Sequence, residues 1–274
     1  GANARIEEVL AEDATHVTAL QMQADTLMQA DKPGEAISVL RAALDQDPRN
    51  AETLTLMAQA HLRDGSRELA GERLALAVEV SDSGLQESLR YAQFLIEDER
   101  LSTAESVLIS ALRKAPGNIR VLIALAEVLL RQDNWSGTED VIQQLELIGS
   151  TQAIADANRI RATLLFRQNE RDKSIAFLEQ LAQESGGAFE AVAAVVRAHL
   201  ENGNIPRAAE YLDGLIAENP AEEGLLFLRA GVHMIAGEPR RAETIYRTLM
   251  SQNPTALRPV QALVSLLNSE SRVD

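Results

Sequence analysis

The sequence has no cysteine, very few aromatic residues and almost no lysine, and each shortage limits what the protein can be. Without cysteine there are no disulfides, no thiolate metal sites and no cysteine nucleophile. Aromatic residues make up only 3% of the 274 residues, which suits close helix packing through small side chains. No apolar run is long enough to cross a bilayer. The formal net charge is −15, so the chain repels phosphate backbones and nucleic acid is not expected as a partner.

What the sequence does contain is a repeat of 34 residues, interrupted once by two extra residues. Small residues recur first, and a second set of mostly small residues follows twelve residues later, with a larger apolar residue four further on. A period of this length is typical of stacked helical hairpins rather than one globular core. The first series is Ala24, Ala58, Ala92, Ala126, Ala162, Val196 and Ala230. The second series, twelve residues later, is Ala36, Ala70, Ala104, Thr138, Ser174, Ala208 and Ala242.

Each repeat is predicted to form a helix, a short turn and a second helix. Glycine recurs at the turn, where a helix ends in a left-handed residue, at Gly65, Gly203 and Gly237. Proline recurs in the first turn of the second helix, at Pro33, Pro206 and Pro239. The seven full repeats are 17–50, 51–84, 85–118, 119–152, 155–188, 189–222 and 223–256, and they form a single array over residues 1–274.

This pattern resembles the tetratricopeptide repeat (TPR) over nearly the whole chain. Its motif has small residues at repeat positions 8 and 20, an apolar residue at 24, a small one at 27 and proline at 32. Two repeats match at all five positions, through Ala24, Ala36, Leu40, Ala43 and Pro48, and through Ala92, Ala104, Leu108, Ala111 and Pro116. The resemblance implies an all-α, right-handed α-α superhelix, a TPR solenoid of seven full repeats with a half-repeat at each end.

The two ends and the middle depart from the regular pattern. Residues 1–16 are predicted to be the second helix of a preceding repeat, which favours a fragment of a larger protein, and residues 257–274 to be a C-terminal capping helix. In the middle, Ser150 replaces proline and residues 153–154 interrupt the register. We interpret this seam either as a bend or hinge near 148–156 or as drift without mechanical consequence.

No arrangement of residues predicts catalysis, a cofactor site or a metal site. Three of the four histidines, His61, His199 and His233, share repeat position 11 and cannot meet at one metal, so we expect them to pack between helices. No glycine-rich loop follows a strand, and no serine has a histidine nearby to act as its base.

The resemblance implies that the first helix of each repeat lines a concave face, with positions 2, 5, 9, 12 and 13 inward. Position 12 is apolar in every repeat, either to contact the neighbouring first helix or to form the floor of a groove. Inward arginines in the second half are predicted to hold an acidic segment through bidentate pairs, or alternatively to pair with Glu127, Glu190 and Glu201. The predicted partner-binding groove comprises Arg131, Arg159, Thr163, Phe166, Arg167, Arg197, Phe227 and Met234.

The resulting functional hypothesis is a non-enzymatic protein–protein interaction scaffold. It binds a peptide or helix of a partner protein, acidic or partly apolar, in the concave groove. General likeness favours a bacterial protein of the periplasm or envelope, serving secretion or exopolysaccharide assembly, with the cytoplasm as the alternative. The alternative function is a substrate-docking arm of a larger enzyme whose catalytic domain lies outside these residues.

Overall fold

The computed structural model describes residues 1–269, which form sixteen α-helices and no strand. The helices follow one another through turns of two to four residues, as expected for a helical repeat. In chain order they are α1 (Ala2–Glu12), α2 (Val17–Gln29), α3 (Pro33–Gln46), α4 (Ala51–Arg63), α5 (Arg67–Val80), α6 (Leu85–Glu97), α7 (Leu101–Lys114), α8 (Ile119–Arg131), α9 (Trp135–Ile148), α10 (Thr151–Arg167), α11 (Arg171–Glu184), α12 (Phe189–Glu201), α13 (Ile205–Glu218), α14 (Glu223–Ile235), α15 (Pro239–Gln252) and α16 (Leu257–Ser269).

The seven predicted hairpins are confirmed, from α2–α3 to α14–α15, as is the all-α helical-repeat fold. In six of them the first helix begins at the first residue of the repeat. The chain forms two compact units, Gly1–Ile160 and the residues from Arg161 on. In the first unit each helix from α1 to α9 packs against the next, and in the second the same holds from α11 to α16.

The recurring alanines lie where the two helices of a hairpin meet. Small side chains permit this close approach, and enlarging one of these alanines to leucine costs about 1–3 kcal/mol through overpacking. In the fifth repeat Ser174 replaces alanine, and its hydroxyl donates to the carbonyl oxygen of Ala162 at 2.9 Å, so the buried polar group is satisfied. At repeat positions 8 and 20, the alanines with no exposed surface are Ala24, Ala36, Ala58, Ala70, Ala92, Ala104, Ala126, Ala208, Ala230 and Ala242.

Every hairpin turns through a left-handed residue at repeat position 15. The three predicted glycines are there, with φ of 80° at Gly65, 71° at Gly203 and 73° at Gly237. The next residue donates its amide to the carbonyl of position 11, a bond that closes a helix C-terminus, as between Asn204 and His199 at 2.8 Å. The other four repeats use residues with side chains, Asp31, Glu99, Asp133 and Asn169.

The seam around residues 148–156 contains the beginning of a longer helix. α9 ends at Ile148, and the residue after it, Gly149, is left-handed with φ of 69°. α10 begins at Thr151, so the two extra residues, 153–154, lie within α10. Ser150 stands where four other repeats have proline, and nothing there blocks the helix from starting early. Its Oγ accepts a hydrogen bond from the amide of Ala153 at 3.2 Å and caps the new start. The bend or hinge stays a prediction.

Two arginines at repeat position 17 join their hairpin to the next by the same contact. The guanidinium of Arg67 lies 4.8 Å from the centre of the Phe94 ring, and its Nε donates to Asp98 Oδ1 at 2.5 Å. Arg171 donates to Asn202 Oδ1 at 3.0 Å. Asp98 and Asn202 both occupy position 14 of the following repeat, so the repeat sets this polar contact as well as the apolar ones.

The half-repeat α1 is less buried than the helices of complete hairpins. Ile6, at the position where Leu40 is fully buried in the first repeat, remains half-buried, and Val9 is 37% exposed. The reason is that a second helix depends on the first helix of its own hairpin to cover this face.

The final helix α16 packs on α15, as a capping helix is expected to do. The sequence of this helix has apolar residues at Val260, Leu263, Val264 and Leu267, which predict one buried face. The structure buries Leu263 together with Pro259 and Leu266, and leaves Val264 51% exposed. The buried face is therefore rotated from the one that these apolar positions indicate. The predicted extension of this helix over 270–274 lies outside the described residues.

Candidate functional site

In the first unit, the first helices α4, α6 and α8 form the walls of a groove with a cavity of about 640 Å³. Side chains from repeat positions 2, 5, 6, 9 and 12 face it, because helical periodicity places these positions along one side of each helix. The volume lies within the range typical of ligand pockets. The lining residues are Thr55, Ala58, Gln59, Leu62, Leu74, Gln86, Leu89, Arg90, Gln93, Phe94, Ile96, Glu97, Arg120, Ile123 and Ala124.

The groove floor is apolar and partly open. Leu62 is 39% exposed, and Leu89 and Ile123 are half-buried. Fully burying one such side chain against a partner stabilises a complex by roughly 1.5–3 kcal/mol. Leu62 occupies position 12 of its repeat, but the equivalent Ile96 is buried. Position 12 is therefore not a continuous exposed ridge, since some of its members serve helix packing and others reach the groove.

The groove walls carry two exposed arginines with no carboxylate among the described residues within 4.0 Å of their guanidinium groups. Arg90 lies at position 6 of α6 and Arg120 at position 2 of α8. The one acidic residue of the lining, Glu97, is already paired with Arg67 at 3.2 Å. Three glutamine amides, Gln59, Gln86 and Gln93, complete the polar walls. The groove thus offers free positive charge and hydrogen-bonding amides beside an apolar floor.

Two of the predicted groove residues lie in this first unit, and each has a carboxylate partner. Arg131 Nη2 donates to Glu127 Oε1 at 3.0 Å on the same helix, which is the alternative pairing that the sequence suggested, and Glu99 lies 3.6 Å from the same guanidinium. Arg159 lies 3.1 Å from the buried carboxylate of Asp156. The Arg131 pairs are exposed and contribute little to stability, whereas Arg159 lies against a buried carboxylate.

The other six predicted residues lie in the second unit. Thr163, Phe166 and Arg167 are on α10, Arg197 is on α12, and Phe227 and Met234 are on α14. Arg197 is exposed and Met234 is 37% exposed, and their helices α12 and α14 are in contact.

The two phenylalanines of the predicted groove have contacts inside the fold. The Phe227 ring packs 5.8 Å from Tyr246, and the Phe166 ring lies 5.2 Å from the guanidinium of Arg171. Both are half-buried, so each combines a structural contact with an accessible edge.

The histidines at position 11 pack between helices. His61, His199 and His233 are each 7% exposed. Burial lowers the pKa of His61 below its ordinary value, and the positive charge of Arg73 adds to this effect. Within residues 1–269 no group of three histidine or acidic side chains is arranged to hold a metal ion.

A family model described as tetratricopeptide repeat matches residues 27–83 and 199–267, one segment in each unit. The first segment runs from the end of α2 through α5, and the second from the end of α12 into α16. The resemblance to the tetratricopeptide repeat that the sequence suggested is therefore confirmed.

Solved TPR structures share this fold at low sequence identity. A tetratricopeptide repeat protein from Parabacteroides merdae has a TM-score of 0.57 at 16% identity, covering 92% of this chain and 98% of that one. Yeast Tom70 has a TM-score of 0.57 at 14% identity, covering 99% of this chain and 58% of Tom70. PilF of Pseudomonas aeruginosa has a TM-score of 0.50 at 21% identity, covering 78% and 97%. No curated protein sequence matches the chain.

The TPR positions explain which groove residues the sequence alone did not single out. Gln59, Gln86 and Gln93 occupy inward TPR positions of the second and third repeats, so extending the inward-position rule to those repeats would have found them. Arg90 was not accessible in this way, because position 6 is not among the inward positions of the TPR rule, although Arg90 and Ala124 both line the groove at this position. Across residues 1–269, no TPR helix has the length and apolarity to cross a membrane.

Proposed function

We propose that this TPR protein is a non-enzymatic interaction scaffold that binds a segment of a partner protein in the α4–α6–α8 groove. The observation that carries the proposal is the open cavity of about 640 Å³ with its apolar floor and two arginines without a carboxylate partner. A groove of this kind recognises a peptide or a helix through anchors along one face.

The partner segment that fits this groove combines an apolar side chain with a carboxylate. Leu62 and Ile123 provide the surface for the apolar side chain. Arg90 and Arg120 provide the charge for the carboxylate, through bidentate contacts that place it as well as attract it. The chain carries a net charge of −15, so a partner that is acidic throughout is repelled, and the acidic group must be local to the bound segment.

The experiment begins with identification of the partner by a photocrosslinking amino acid at Gln93, with Gln143 on the exposed surface of α9 as the matched control. The affinity of the identified partner is then measured for the variant with Arg90→Glu and Arg120→Glu. We expect it to fall about tenfold or more, which corresponds to a loss of about 1.4 kcal/mol or more.

The control for charge reversal is Arg113→Glu on the second helix α7, outside the groove lining. We expect this change to leave the affinity within about twofold of the wild type, well below the tenfold loss that marks a binding residue. If the double groove variant binds the partner as tightly as the wild type, with its helical content unchanged, the groove is not the binding site.

The predicted residues of the second unit extend this proposal to α12 and α14. Arg197 and Met234 are exposed there and suit a mixed acidic and apolar segment, as in the first unit. In the same affinity measurement, Arg197→Glu tests whether the partner also engages these positions. A setting in the bacterial envelope, secretion or exopolysaccharide assembly stays a prediction.

A further inference from the structure

A second concave site lies in the second unit, between the second helices α11 and α13 and beside the end of α12. Its cavity measures about 390 Å³, near the lower limit for ligand pockets. It is made largely of second helices, whereas the proposed groove is made almost entirely of first helices of the other unit, so the two sites are independent. The lining residues are Asp172, Ile175, Ala176, Glu179, His199, Asn202, Asn204, Arg207, Glu210 and Tyr211.

The charge of this pocket is negative, with three carboxylates against one guanidinium. Arg207 Nη1 lies 3.5 Å from Glu210 Oε2, and these two charges offset each other. Asp172 and Glu179 remain without an arginine or lysine within 4.0 Å among the described residues. Arg171, at the edge, is directed to the side-chain oxygen of Asn202 at 3.0 Å. The uncompensated charge of the pocket therefore comes from Asp172 and Glu179.

A buried polar atom in the pocket wall lacks a partner. His199 is 7% exposed, its Nε2 lies 3.4 Å from Glu179 Oε1, and its buried Nδ1 has no hydrogen-bond partner. At the same position of the next repeat, His233 Nδ1 lies 2.7 Å from Glu238 Oε2. The carboxylate beside Nε2 favours the neutral tautomer that carries its proton on Nε2, and in that tautomer Nδ1 is an acceptor without an N–H or O–H donor.

The side chain of Tyr211 reports the same negative field. Burial raises the pKa of this phenol, and the nearby charge of Glu179 raises it further. The ring of Tyr211 lies 6.4 Å from the ring of His199, so both aromatic side chains face the region that Glu179 makes negative. A bound positive charge offsets the negative charge of Glu179, whereas a bound anion adds to it.

We propose that this pocket binds an organic cation, an ammonium or guanidinium group carrying several N–H donors. Such a group pairs with Asp172 and Glu179, and one of its N–H groups supplies the donor that the His199 ring lacks. A metal ion is a poorer fit, since no group of three histidine or acidic side chains within residues 1–269 has the arrangement of a metal site.

The test uses the whole chain labelled with ¹⁵N and titrated with three probes while amide shifts are recorded. The probes are agmatine, the tripeptide acetyl-Ala-Arg-Ala-amide and the same tripeptide with neutral citrulline in place of arginine. We expect the arginine tripeptide, agmatine or both to shift amides of α11, α12 and α13, with the citrulline tripeptide bound about tenfold more weakly or worse. Tighter binding of agmatine indicates a free amine as the natural ligand, and tighter binding of the tripeptide indicates a partner's side chain.

The matched variants neutralise charge without changing shape. Asp172→Asn with Glu179→Gln is expected to weaken binding of the cationic probe about tenfold or more, and Glu190→Gln, exposed on α12 outside the pocket, to leave it within about twofold. Circular dichroism establishes that each variant is folded. Equal binding of the arginine and citrulline tripeptides, no binding of either cationic probe, or unchanged binding by the folded double variant would overturn the proposal.

Discussion

At the scale of single residues, the position-11 histidines show how one repeat position acquires different chemistry. His61, His199 and His233 are equally buried, yet only His233 has a carboxylate at hydrogen-bond distance from Nδ1. The reason is the residue five positions later, which is Glu238 in the last repeat but Ser66 after His61 and Asn204 after His199. The hydrogen bond to His233 in turn lowers the pKa of Glu238.

The lowered pKa of His61 predicts that folding stability decreases in mild acid. In the unfolded chain the imidazole titrates near its ordinary pKa of 6.5, whereas burial lowers the pKa in the folded protein. The contribution of His61 to the free energy of unfolding is fully present above pH 6.5. It is lost as the pH falls through the folded-state pKa, by at most about 1.4 kcal/mol per pH unit. Urea unfolding at pH 7.5 and 5.5 measures this loss, and His61→Gln should reduce it. An equal loss in wild type and variant would show that His61 does not contribute.

At the scale of elements, the turns inside the hairpins depend on the backbone conformation at position 15. A left-handed residue costs about 1–2 kcal/mol when it carries a Cβ, and glycine avoids that cost. The repeats that use Asp31, Glu99, Asp133 or Asn169 therefore accept strain that the glycine repeats do not. The shared hydrogen bond from position 16 to position 11 holds this conformation in both kinds of turn.

Two glycine-to-alanine changes in one hairpin should have opposite effects on stability. Gly203 has φ of 71°, so Gly203→Ala introduces strain and should destabilise the protein by about 1 kcal/mol. Gly214 lies inside α13 with open space around the position of a Cβ, so Gly214→Ala should stabilise by roughly 0.5–1 kcal/mol. Thermal and urea unfolding of both variants provide the comparison. If Gly203→Ala left the protein as stable as the wild type or more stable, the turn would not require a left-handed glycine.

At the scale of the whole molecule, the division into two compact units predicts that the two units unfold at different denaturant concentrations. Each repeat in a solenoid is stabilised chiefly by its immediate neighbours, so stability need not be shared equally along the chain. The first unit includes the only tryptophan, Trp135, at the beginning of α9. Its fluorescence therefore reports on one unit, while circular dichroism reports on helices of both.

We expect urea unfolding followed by Trp135 fluorescence and by circular dichroism to have different midpoints. Ala104→Leu overpacks the first unit by about 1–3 kcal/mol and should shift the fluorescence midpoint. Ala208→Leu makes the same change in the second unit, since both alanines are fully buried, and should leave the fluorescence midpoint in place. Coincident transitions that move together in both variants would instead show one cooperative unit.

The helical hairpins follow from the sequence by itself, because they depend on local rules. Small residues at fixed spacing allow two helices to approach, glycine at position 15 permits the left-handed turn, and Ser150 in place of proline permits the early start of α10. Each of these effects acts within one or two turns of helix. The same periodicity also indicates which positions of a first helix face inward.

Only the tertiary structure decided which inward positions are available to a partner. Leu62 and Ile96 share repeat position 12, but one is exposed and the other is buried, because exposure depends on the size of the neighbouring side chains. Arg131 and Arg90 are both arginines of first helices, but a carboxylate lies against Arg131 and none of the described ones reaches Arg90. Some of these contacts come from a neighbouring repeat, as Glu99 does at 3.6 Å from Arg131, and a repeat pattern specifies the order of the helices without specifying such contacts.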